Sequence, residues 1–493
     1  MALEDRKEPG TVPERVAVYT CITNAYDRLP DLPQWPHCDF ICFTDNPYLR
    51  SDRWEVRYLP GDDLDAARRS RLPKILPHRF LLEYPISVWV DANVTVHTDL
   101  AAMARQELAS RSAAFFTHPE RTNVYDEAEV CIRLEKDDPA TLRRQSDAYR
   151  DEGLPAGIDD LVTCTIMFRR HRDPEIIRLM ELWWKEILRH SRRDQISLPF
   201  VAWRMGYALP RTTRSATEVF KRGRHYADRR REKKRGAIKN CEIAVLSHPK
   251  SGRTWLRTYL ANYLRSAGKP ADSEFGPGSL DGRGIVFDHE YLEIFQDTAE
   301  APRLIHPRLL SKKRLVVLVR DPRSVCVSYY FHKRLRDRLQ VGGLTDFVKS
   351  PMFGIERQSA FVNLILDLYD AKKGDKLLLR YEDLVTHPAR EFGRFTRFVF
   401  PREDTSKFAS QALELSSFDR MQESEIKQSM KSGEEGSQIR FGVKNWDGNL
   451  DALKTRKGDP GEARSIFTPS LWNEISELTE TRRVLDRLHY PRG

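Results

Sequence analysis

The sequence lacks the features that would place it in a membrane or hold it together with disulfides. No apolar run approaches the roughly eighteen residues of a transmembrane helix, so none is expected. The seven cysteines are an odd number at scattered positions, which argues against a disulfide framework and favours a reducing cytoplasm. Residues 1–14 are polar and have no apolar signal core, which predicts a loose tail.

Length and composition indicate two globular domains. A chain of 493 residues exceeds one ordinary domain, and 40% hydrophobic residues favour packed cores over disorder. Much of the net charge of +10 lies in residues 221–235. We interpret residues 216–239 as a basic linker, with peripheral contact to an anionic membrane surface as the alternative. Basic and aromatic residues are not interleaved, so no nucleic-acid partner is predicted.

One short segment has the pattern of an anion-binding loop. A strand-like run ends in the loop HPKSGRTW, residues 248–255, and a helix-like run follows at once. A helix N-terminus presents free backbone N–H groups and the positive end of its dipole to an anion. Lys250 adds a charge, Ser251 and Thr254 add hydroxyl donors, and Gly252 permits close approach of the backbone. The alternative is a turn with an exposed lysine.

This loop differs from the nucleotide P-loop. A P-loop needs a first glycine, four further residues and then Gly-Lys-Ser/Thr. Here Lys250 precedes Gly252, and the loop has no earlier glycine. An ATPase or kinase is therefore a disfavoured alternative.

A second segment predicts a phosphate site at a strand end. The apolar run 314–319 indicates a strand buried on both faces, as in a parallel sheet. Asp321 can cap the next helix and Pro322 can open it. Arg320 then lies at the carboxyl end of a strand, where open α/β sheets bind ligands, and Ser328 lies on the early turns of the helix. A structural salt bridge is the alternative for Arg320.

Two further segments carry groups suited to the same ligand. Arg456, Lys457 and Gly458 place two cations beside a glycine, which suits a doubly charged phosphate. Trp446 lies upstream of these residues and is a weaker candidate for a part of the same site. Tyr381 follows a strand-like run. The alternatives are a solvated turn for the first segment and a packing role for the tyrosine.

In this order the segments resemble the family of sulfotransferases that use 3′-phosphoadenosine 5′-phosphosulfate (PAPS). The resemblance covers about residues 240–493, and one departure is Ala463, where the family has a tryptophan. It implies a P-loop-like α/β fold with a parallel sheet, and PAPS as the sulfate donor. It assigns donor binding to Lys250, Ser251, Gly252, Arg253, Thr254, Trp255, Arg320, Ser328, Tyr381, Arg456, Lys457 and Gly458.

Sulfuryl transfer also needs a base for the acceptor hydroxyl, and histidine suits that step. Lys250 would offset charge on the leaving phosphate, in the logic of phosphoryl transfer. His289 precedes Arg320 by about thirty residues and His306 precedes it by about fourteen. The shorter spacing barely admits a crossover helix before the next parallel strand. We therefore predict His289 as the base and keep His306 as the alternative.

Residues 15–215 predict a second α/β domain. Strand-like and helix-like patterns alternate, which favours a sandwich around a mostly parallel sheet. The predicted strands are residues 16–20, 40–44, 86–90 and 165–168, and the predicted helices are 63–71 and 174–190.

The sharpest feature of this first domain is Asp91, which leaves a buried strand two positions before Asn93. Glycosyltransferases of the GT-A type place Asp-x-Asp here to hold a divalent cation on a sugar nucleotide, and Mn²⁺ or Mg²⁺ prefers such oxygen ligands. Asn93 keeps an oxygen but removes a charge, which leaves metal use open. The alternative is that Asp91 only begins a turn.

Short segments at residues 74–79, 89–91, 118–119, 127–128 and 194–197 resemble, in order, a glycosyltransferase-like family of plant cell-wall and mucilage proteins and of bacteria. The resemblance implies that Lys74, His78, Arg79 and Asp91 face a sugar-nucleotide donor. It makes Asp194 an acceptor-side carboxylate. A structural role is the alternative for each residue.

The two resemblances together predict a cytoplasmic enzyme of sulfated-glycan synthesis. Residues 240–493 would sulfate a hydroxyl of a glycan or another acceptor, and residues 15–215 would build the acceptor. The rival hypothesis gives the first domain a glycan-binding role without catalysis.

Overall fold

The computed structural model describes residues 14–60, 64–158, 160–269, 279–280, 283–289, 302–304, 306–431, 442–444 and 446–491. The chain divides into two compact units, Met1–Arg229 and Arg230–Gly493. Residues 1–13 of the predicted tail and residue 63 of a predicted helix lie outside the described residues. No helix in the described ranges has both the length and the apolar composition needed to cross a membrane.

The first unit contains a six-stranded sheet in the order β3-β2-β1-β4-β7-β6. Strands β3, β2, β1 and β4 are parallel to one another, and β7 is antiparallel to β4 and β6, so the predicted mostly parallel sheet is confirmed. A separate antiparallel pair joins β5 and β8. The strands are β1 (Val16–Ile22), β2 (Cys38–Thr44), β3 (Glu55–Tyr58), β4 (Ile86–Val90), β5 (Val94–Val96), β6 (Ala113–Thr117), β7 (Val162–Arg169) and β8 (Phe220–Arg222).

Helices cover this sheet, and the inner strands are buried on both faces. Asp65 accepts a hydrogen bond from the backbone N–H of Arg68, so the first helix begins at Ala66 and extends past the predicted end. The helices are α1 (Ala66–Ile75), α2 (Leu100–Glu107), α3 (Val124–Arg133), α4 (Pro139–Asp151), α5 (Pro174–Arg189), α6 (Asp194–Met205) and α7 (Ala216–Val219).

The predicted boundary at residue 215 lies inside the first unit. Strand β8 pairs with β5, and Phe220 is buried against the core of that unit. The basic segment that follows is helical, as α8 (Tyr226–Asn240). The basic run thus lies in a helix whose residues are mostly half-buried or exposed.

The second unit contains a five-stranded sheet in the order β10-β11-β9-β12-β13. Strands β11, β9, β12 and β13 are parallel neighbours, and only β10 is antiparallel among the strands described. Because parallel strands end at one edge, the residues that follow them lie side by side. The strands are β9 (Ile243–Ser247), β10 (Ser279–Leu280), β11 (Arg283–Asp288), β12 (Arg314–Val319) and β13 (Lys376–Arg380).

Two helices of the second unit begin where the sequence predicted. One helix follows the anion loop directly, and the Asp321 carboxylate accepts from the Arg323 N–H, so that Pro322 opens the next long helix. The helices are α9 (Arg253–Ser266), α10 (Pro307–Leu310), α11 (Pro322–Phe331), α12 (Leu344–Lys349), α13 (Ile355–Ala371), α14 (Tyr381–Thr386), α15 (Pro388–Val399), α16 (Ser406–Leu415), α17 (Phe418–Met430), α18 (Glu462–Ile466), α19 (Pro469–Glu477) and α20 (Thr479–Arg487).

Candidate functional site

A cavity of about 330 Å³ opens at the carboxyl ends of the parallel strands of the second unit. Eleven of the twelve residues predicted to bind the donor line it, as does His289. Ser251 is the exception, since it is buried within the loop. Segments that lie far apart in the sequence and were linked only by their motifs therefore meet at one cavity.

The anion loop adopts a tight left-handed bend. Lys250 has a φ of +72° and Gly252 a φ of +95°. A Cβ atom on Gly252 would lie 2.5 Å from the ring of Tyr381, so only glycine fits between the loop and this ring. Helix α9 begins at the next residue without a side-chain cap, and its first N–H groups remain for an anion.

Arg320 lies between the loop and Tyr381. Its Nη1 atom donates to the backbone oxygen of Lys250 at 3.2 Å, and its guanidinium carbon lies 4.3 Å from the centre of the Tyr381 ring. The residue is buried, and its Nε has no hydrogen-bond partner among the described residues. Ser328, on α11, lines the same part of the cavity. A phosphate here would satisfy a donor that is otherwise unmatched.

The loop at residues 456–458 completes a second cationic site. Arg456 forms a buried two-contact ion pair with Glu462, and Lys457 Nζ lies 3.4 Å from the same carboxylate. The Tyr381 hydroxyl donates to the backbone oxygen of Gly458 at 3.2 Å. The tyrosine thus joins this loop to the anion loop.

The two tryptophans of the prediction differ in position. Trp255 lines the cavity, and its indole N–H donates to the Ser416 oxygen at 2.8 Å. Trp446 donates to the Asn449 oxygen and is not among the lining residues. Ala463 is buried. Trp446 therefore does not take the place of the tryptophan that the sulfotransferase pattern has at position 463.

His289 follows β11 and is buried against the anion loop. Its Nδ1 lies 2.6 Å from the backbone oxygen of Ser247. A carbonyl only accepts, so Nδ1 carries the proton and Nε2 is left with its lone pair. Burial, followed by the charge of Arg253, holds the pKa of His289 well below its usual value. The ring is neutral at pH 7, the state that a base requires.

His306 lies outside the cavity. Its Nε2 is 3.2 Å from the backbone oxygen of Arg231, and the residue directly precedes α10. Residues 302–304 and His306 are not in a strand. Prolines at 302 and 307 flank the segment and cannot donate to a ladder.

Three basic lining residues were missed by the sequence reasoning: Arg257, His332 and Lys454. Arg257 follows Arg253 by one helical turn, and this spacing was the available signal. His332 begins a π-helical turn that extends to Arg336. Lys454 lies near other cations. Burial and, after it, the charge of Arg336 lower the pKa of Lys454 to about 8. Burial is likewise the main cause of a lowered pKa of about 7 at Lys250. The charges of Arg336 and Lys454 also lower this pKa, and the charge of Glu425 raises it.

In the first unit, three predicted residues form one buried cluster. Lys74 Nζ lies 3.1 Å from Asp91 Oδ1 and 2.7 Å from Asp194 Oδ2. The indole of Trp89 donates to the same Asp91 oxygen at 2.8 Å. Burial alone would raise the pKa of Asp194, but Lys74 and Arg71 outweigh it and hold that pKa well below the usual range. Both carboxylates are therefore organised around one ammonium group.

His78 and Arg79 have a different partner. His78 Nε2 lies 2.8 Å from Glu181 Oε1, and Arg79 Nε donates to the same oxygen at 2.9 Å. Glu181, on α5, was not predicted. The structure thus ties these two residues to a carboxylate on α5, whereas the cluster around Lys74 contains Asp91 and Asp194.

The predicted cation site at Asp91 and Asn93 is poorly formed. Asp91 Oδ1 is already bonded to Lys74, and Asn93 donates its amide to the Gly223 oxygen at 2.8 Å while its Oδ1 is buried. His225 Nε2 lies 3.4 Å from the Asn93 amide nitrogen. Within the described ranges, no group of three or more His, Cys, Asp or Glu residues is placed to hold a metal. These residues do not fit a divalent cation in this arrangement.

Comparison with known proteins agrees with this division of the chain. Residues 55–225 match the family model "TOD1/MUCI70, glycosyltransferase-like domain", and residues 241–486 match the model of the sulfotransferase domain. The chain therefore contains a glycosyltransferase-like domain followed by a sulfotransferase domain. Both resemblances inferred from the sequence are confirmed.

Individual relatives match part of the chain each. A probable hexosyltransferase MUCI70 of Arabidopsis thaliana is 31% identical over 147 residues, which are 28% of this chain and 25% of the relative. Cytosolic sulfotransferase 7 of the same plant is 23% identical over 268 residues, 49% of this chain and 78% of the relative. The chain thus spans only a quarter of the hexosyltransferase.

Similar solved structures cover the second half. Mouse sulfotransferase SULT7A1 complexed with PAP is 16% identical, with a TM-score of 0.33, over 51% of this chain and 92% of that chain. Retinol dehydratase in a complex with retinol and PAP is 17% identical, with a TM-score of 0.37, over 52% and 86%.

Proposed function

We propose that the second unit transfers a sulfuryl group from PAPS to an acceptor hydroxyl. The observation that carries this proposal is the pair of cationic sites on either side of Tyr381. The first comprises Lys250 and the α9 N-terminus, and the second comprises Arg320 and the loop at residues 456–458. A nucleotide with a phosphate at both its 5′ and 3′ positions needs two such sites.

The chemical step uses His289 as the base. The acceptor oxygen forms a bond to sulfur as its proton passes to His289 Nε2, and the bond from sulfur to the bridging phosphate oxygen breaks. The product nucleotide is 3′-phosphoadenosine 5′-phosphate (PAP). His289 suits this role because its Nδ1 is held by the Ser247 carbonyl and its Nε2 can accept.

Lys250 and the first N–H groups of α9 stabilise the charge that gathers on the departing phosphate. The α9 terminus is uncapped and Lys250 lines the same cavity, so both are in place before the reaction starts. No step needs a metal ion, because fixed cations and backbone dipoles hold the donor. The remaining residues position the nucleotide.

For the first unit we propose glycosyl transfer from a sugar nucleotide to the glycan that the second unit sulfates. The Lys74 cluster supports this role, since it gathers Asp91, which follows β4, and Asp194, the first residue of α6, around one ammonium group. A fused arrangement raises the effective concentration of the intermediate. The rival is a glycan-binding unit without catalysis. We place the enzyme in the cytoplasm, with peripheral contact to a membrane surface as an alternative.

The test is transfer of labelled sulfate from PAPS by the full chain to a panel of glycans, lipids and small alcohols. Transfer that is lost in His289→Ala and retained in His306→Ala supports the mechanism. A full chain that binds PAP yet sulfates nothing in the panel would contradict it. Incubation with a panel of labelled sugar nucleotides separates the two roles of the first unit, because glycan binding without turnover favours the rival.

A further inference from the structure

The cluster around Lys74 bears on whether the first unit can hold a divalent cation. Lys74 Nζ lies 3.1 Å from Asp91 Oδ1 and 2.7 Å from Asp194 Oδ2. Trp89 Nε1 donates to the same Asp91 oxygen at 2.8 Å. The ammonium group therefore contacts both carboxylates that a metal ion would need. Because only 3% of the Lys74 side chain is exposed, this ammonium group is a fixed part of the site.

Further cations surround Asp194. Arg71 Nε lies 3.5 Å from Asp194 Oδ2, and Arg193 also lowers the pKa of that carboxyl group. Glu127 is the other carboxylate that acts on Arg193, and Arg121 Nε binds it at 2.6 Å. Each carboxylate of the cluster thus already has a cationic partner. A divalent cation would be repelled by these groups at short range.

The second expected metal ligand, Asn93, is bonded to the segment that follows β8. Its amide nitrogen donates to the Gly223 oxygen at 2.8 Å, and the Gly223 N–H donates to the Asn93 backbone oxygen at 2.7 Å. A Cβ atom at position 223 would lie 2.9 Å from that backbone oxygen, so glycine permits this close contact. The side-chain oxygen of Asn93 is buried, so a hydrated cation cannot reach it.

The imidazole beside Asn93 is also occupied. His225 Nδ1 lies 2.5 Å from Asp27 Oδ2, and a carboxylate only accepts, so Nδ1 carries a proton. Nε2 then has the lone pair, and it faces the amide nitrogen of Asn93 at 3.4 Å. This histidine therefore does not replace the carboxylate that the sequence lacks at position 93.

We propose that the ammonium group of Lys74 is the resident cation of this site, and that the first unit binds a sugar nucleotide without a divalent metal. Arg71, whose side chain is 23% exposed, supplies the charge that meets the pyrophosphate, while Lys74 holds the two carboxylates in place. This inference rests on the glycosyl transfer proposed for the first unit.

Two measurements on the full-length protein test the proposal. The first titrates Mn²⁺ into the wild type and into Asp91→Asn and follows the free ion by electron paramagnetic resonance. We expect the two isotherms to agree. The second measures the affinity for UDP, GDP, CDP and dTDP in Mn²⁺ and in EDTA, with excess PAP present to occupy the second unit. We expect these affinities to differ by less than about twofold, whereas a metal-dependent site would lose about tenfold or more in EDTA.

Variants of the cluster locate the cation. Arg71→Gln should weaken binding of the preferred nucleotide about tenfold or more. Arg68→Gln removes the same charge from the same helix, at a side chain that pairs with Asp65, and should change that affinity by less than about twofold. Lys74→Met frees both carboxylates, so Mn²⁺ should raise its unfolding temperature and leave that of the wild type unchanged. The double variant with Asp91→Asn should lose this gain.

The outcomes separate the two proposals. Mn²⁺ binding to the wild type that disappears in Asp91→Asn overturns the resident cation, as does nucleotide binding that requires Mn²⁺. Equal affinity with and without Mn²⁺, lost in Arg71→Gln, supports it. If none of the four nucleotides binds under either condition, the glycosyl transfer proposed for the first unit is overturned, and the Mn²⁺ titration alone decides the resident cation. That titration uses the wild type and so is decisive even if Lys74→Met does not fold.

Discussion

The Nδ1 atom of His289 lies 2.6 Å from the backbone oxygen of Ser247, the last residue of the neighbouring strand β9. Ser247 directly precedes the anion loop. The same strand that ends in the donor site therefore also sets the tautomer of the base. Because β9 and β11 are hydrogen-bonded neighbours, the distance between base and donor is set by the sheet.

His289→Ala should abolish sulfate transfer and keep PAP binding. Loss of the base should lower kcat by about a hundredfold or more, because proton removal from the acceptor is then left to water. Calorimetric titration with PAP and a labelled-PAPS assay measure the two effects. His306→Ala is the control and should behave as the wild type. Near-normal turnover in His289→Ala would remove this histidine from the mechanism.

Gly252→Ala should block the donor site. The added Cβ would meet the Tyr381 ring at 2.5 Å, on a backbone already at a φ of +95°. We expect PAP affinity to fall about tenfold or more, because ring and loop must separate. Gly268→Ala matches the positive φ but has no atom within 4 Å of the new Cβ. Thermal unfolding of this variant should show a loss of about 1 kcal/mol of stability from backbone strain. Its PAP affinity should be unchanged.

PAP binding should take up protons near pH 7. In the free site, burial and neighbouring cations lower the pKa of Lys250 to about 7, so part of the population is neutral. An anionic ligand raises that pKa, and affinity must therefore fall as pH rises above 7. Calorimetry in two buffers of different ionisation enthalpy measures the uptake. Lys250→Arg should remove most of it, and an equal uptake in this variant would assign the proton elsewhere.

Glu462→Gln should strengthen PAP binding and weaken the fold. The Glu462 carboxylate pairs with Arg456 in the described structure and competes with a phosphate for it. Its removal leaves the buried guanidinium with only the longer contact to Asp451 at 3.3 Å, which should lower the free energy of unfolding by up to about 3 kcal/mol. Denaturant titration with and without PAP tests both effects, and PAP should recover much of the loss. Weaker PAP binding would mean that Glu462 orients Arg456 instead of competing for it.

Lys74→Met should destabilise the first unit by about 3 kcal/mol, because Asp194 and Asp91 then lose their shared cation. The pKa of Asp194 is lowered in the folded state, so the pair stabilises fully above the ordinary carboxyl pKa and less as pH falls below it. Thermal unfolding as a function of pH measures this slope. The change of stability with pH should be smaller in Lys74→Met. It should be unchanged in the control Lys136→Met, because Lys136 is exposed.

Much of the second unit was predictable because its signals are local. The apolar run of β12, the cap at Asp321 and the proline that opens α11 are a few residues apart, and the structure has them where expected. The continuation of the first unit past residue 215 had no such local signal, because β8 pairs with β5, more than a hundred residues earlier. A short strand with a distant partner leaves no periodic signal.

By itself, the sequence determined the order of strands, loops and helix starts, and with them the anion loop and the family resemblances. Only the tertiary structure decided which histidine faces the cavity, that Arg257 and Lys454 share it with the donor residues, and that Lys74 occupies the oxygen a metal would need. The physical reason is that capping and apolar periodicity act within a few residues. The charge balance of a site depends on side chains that the sheet brings together from distant segments.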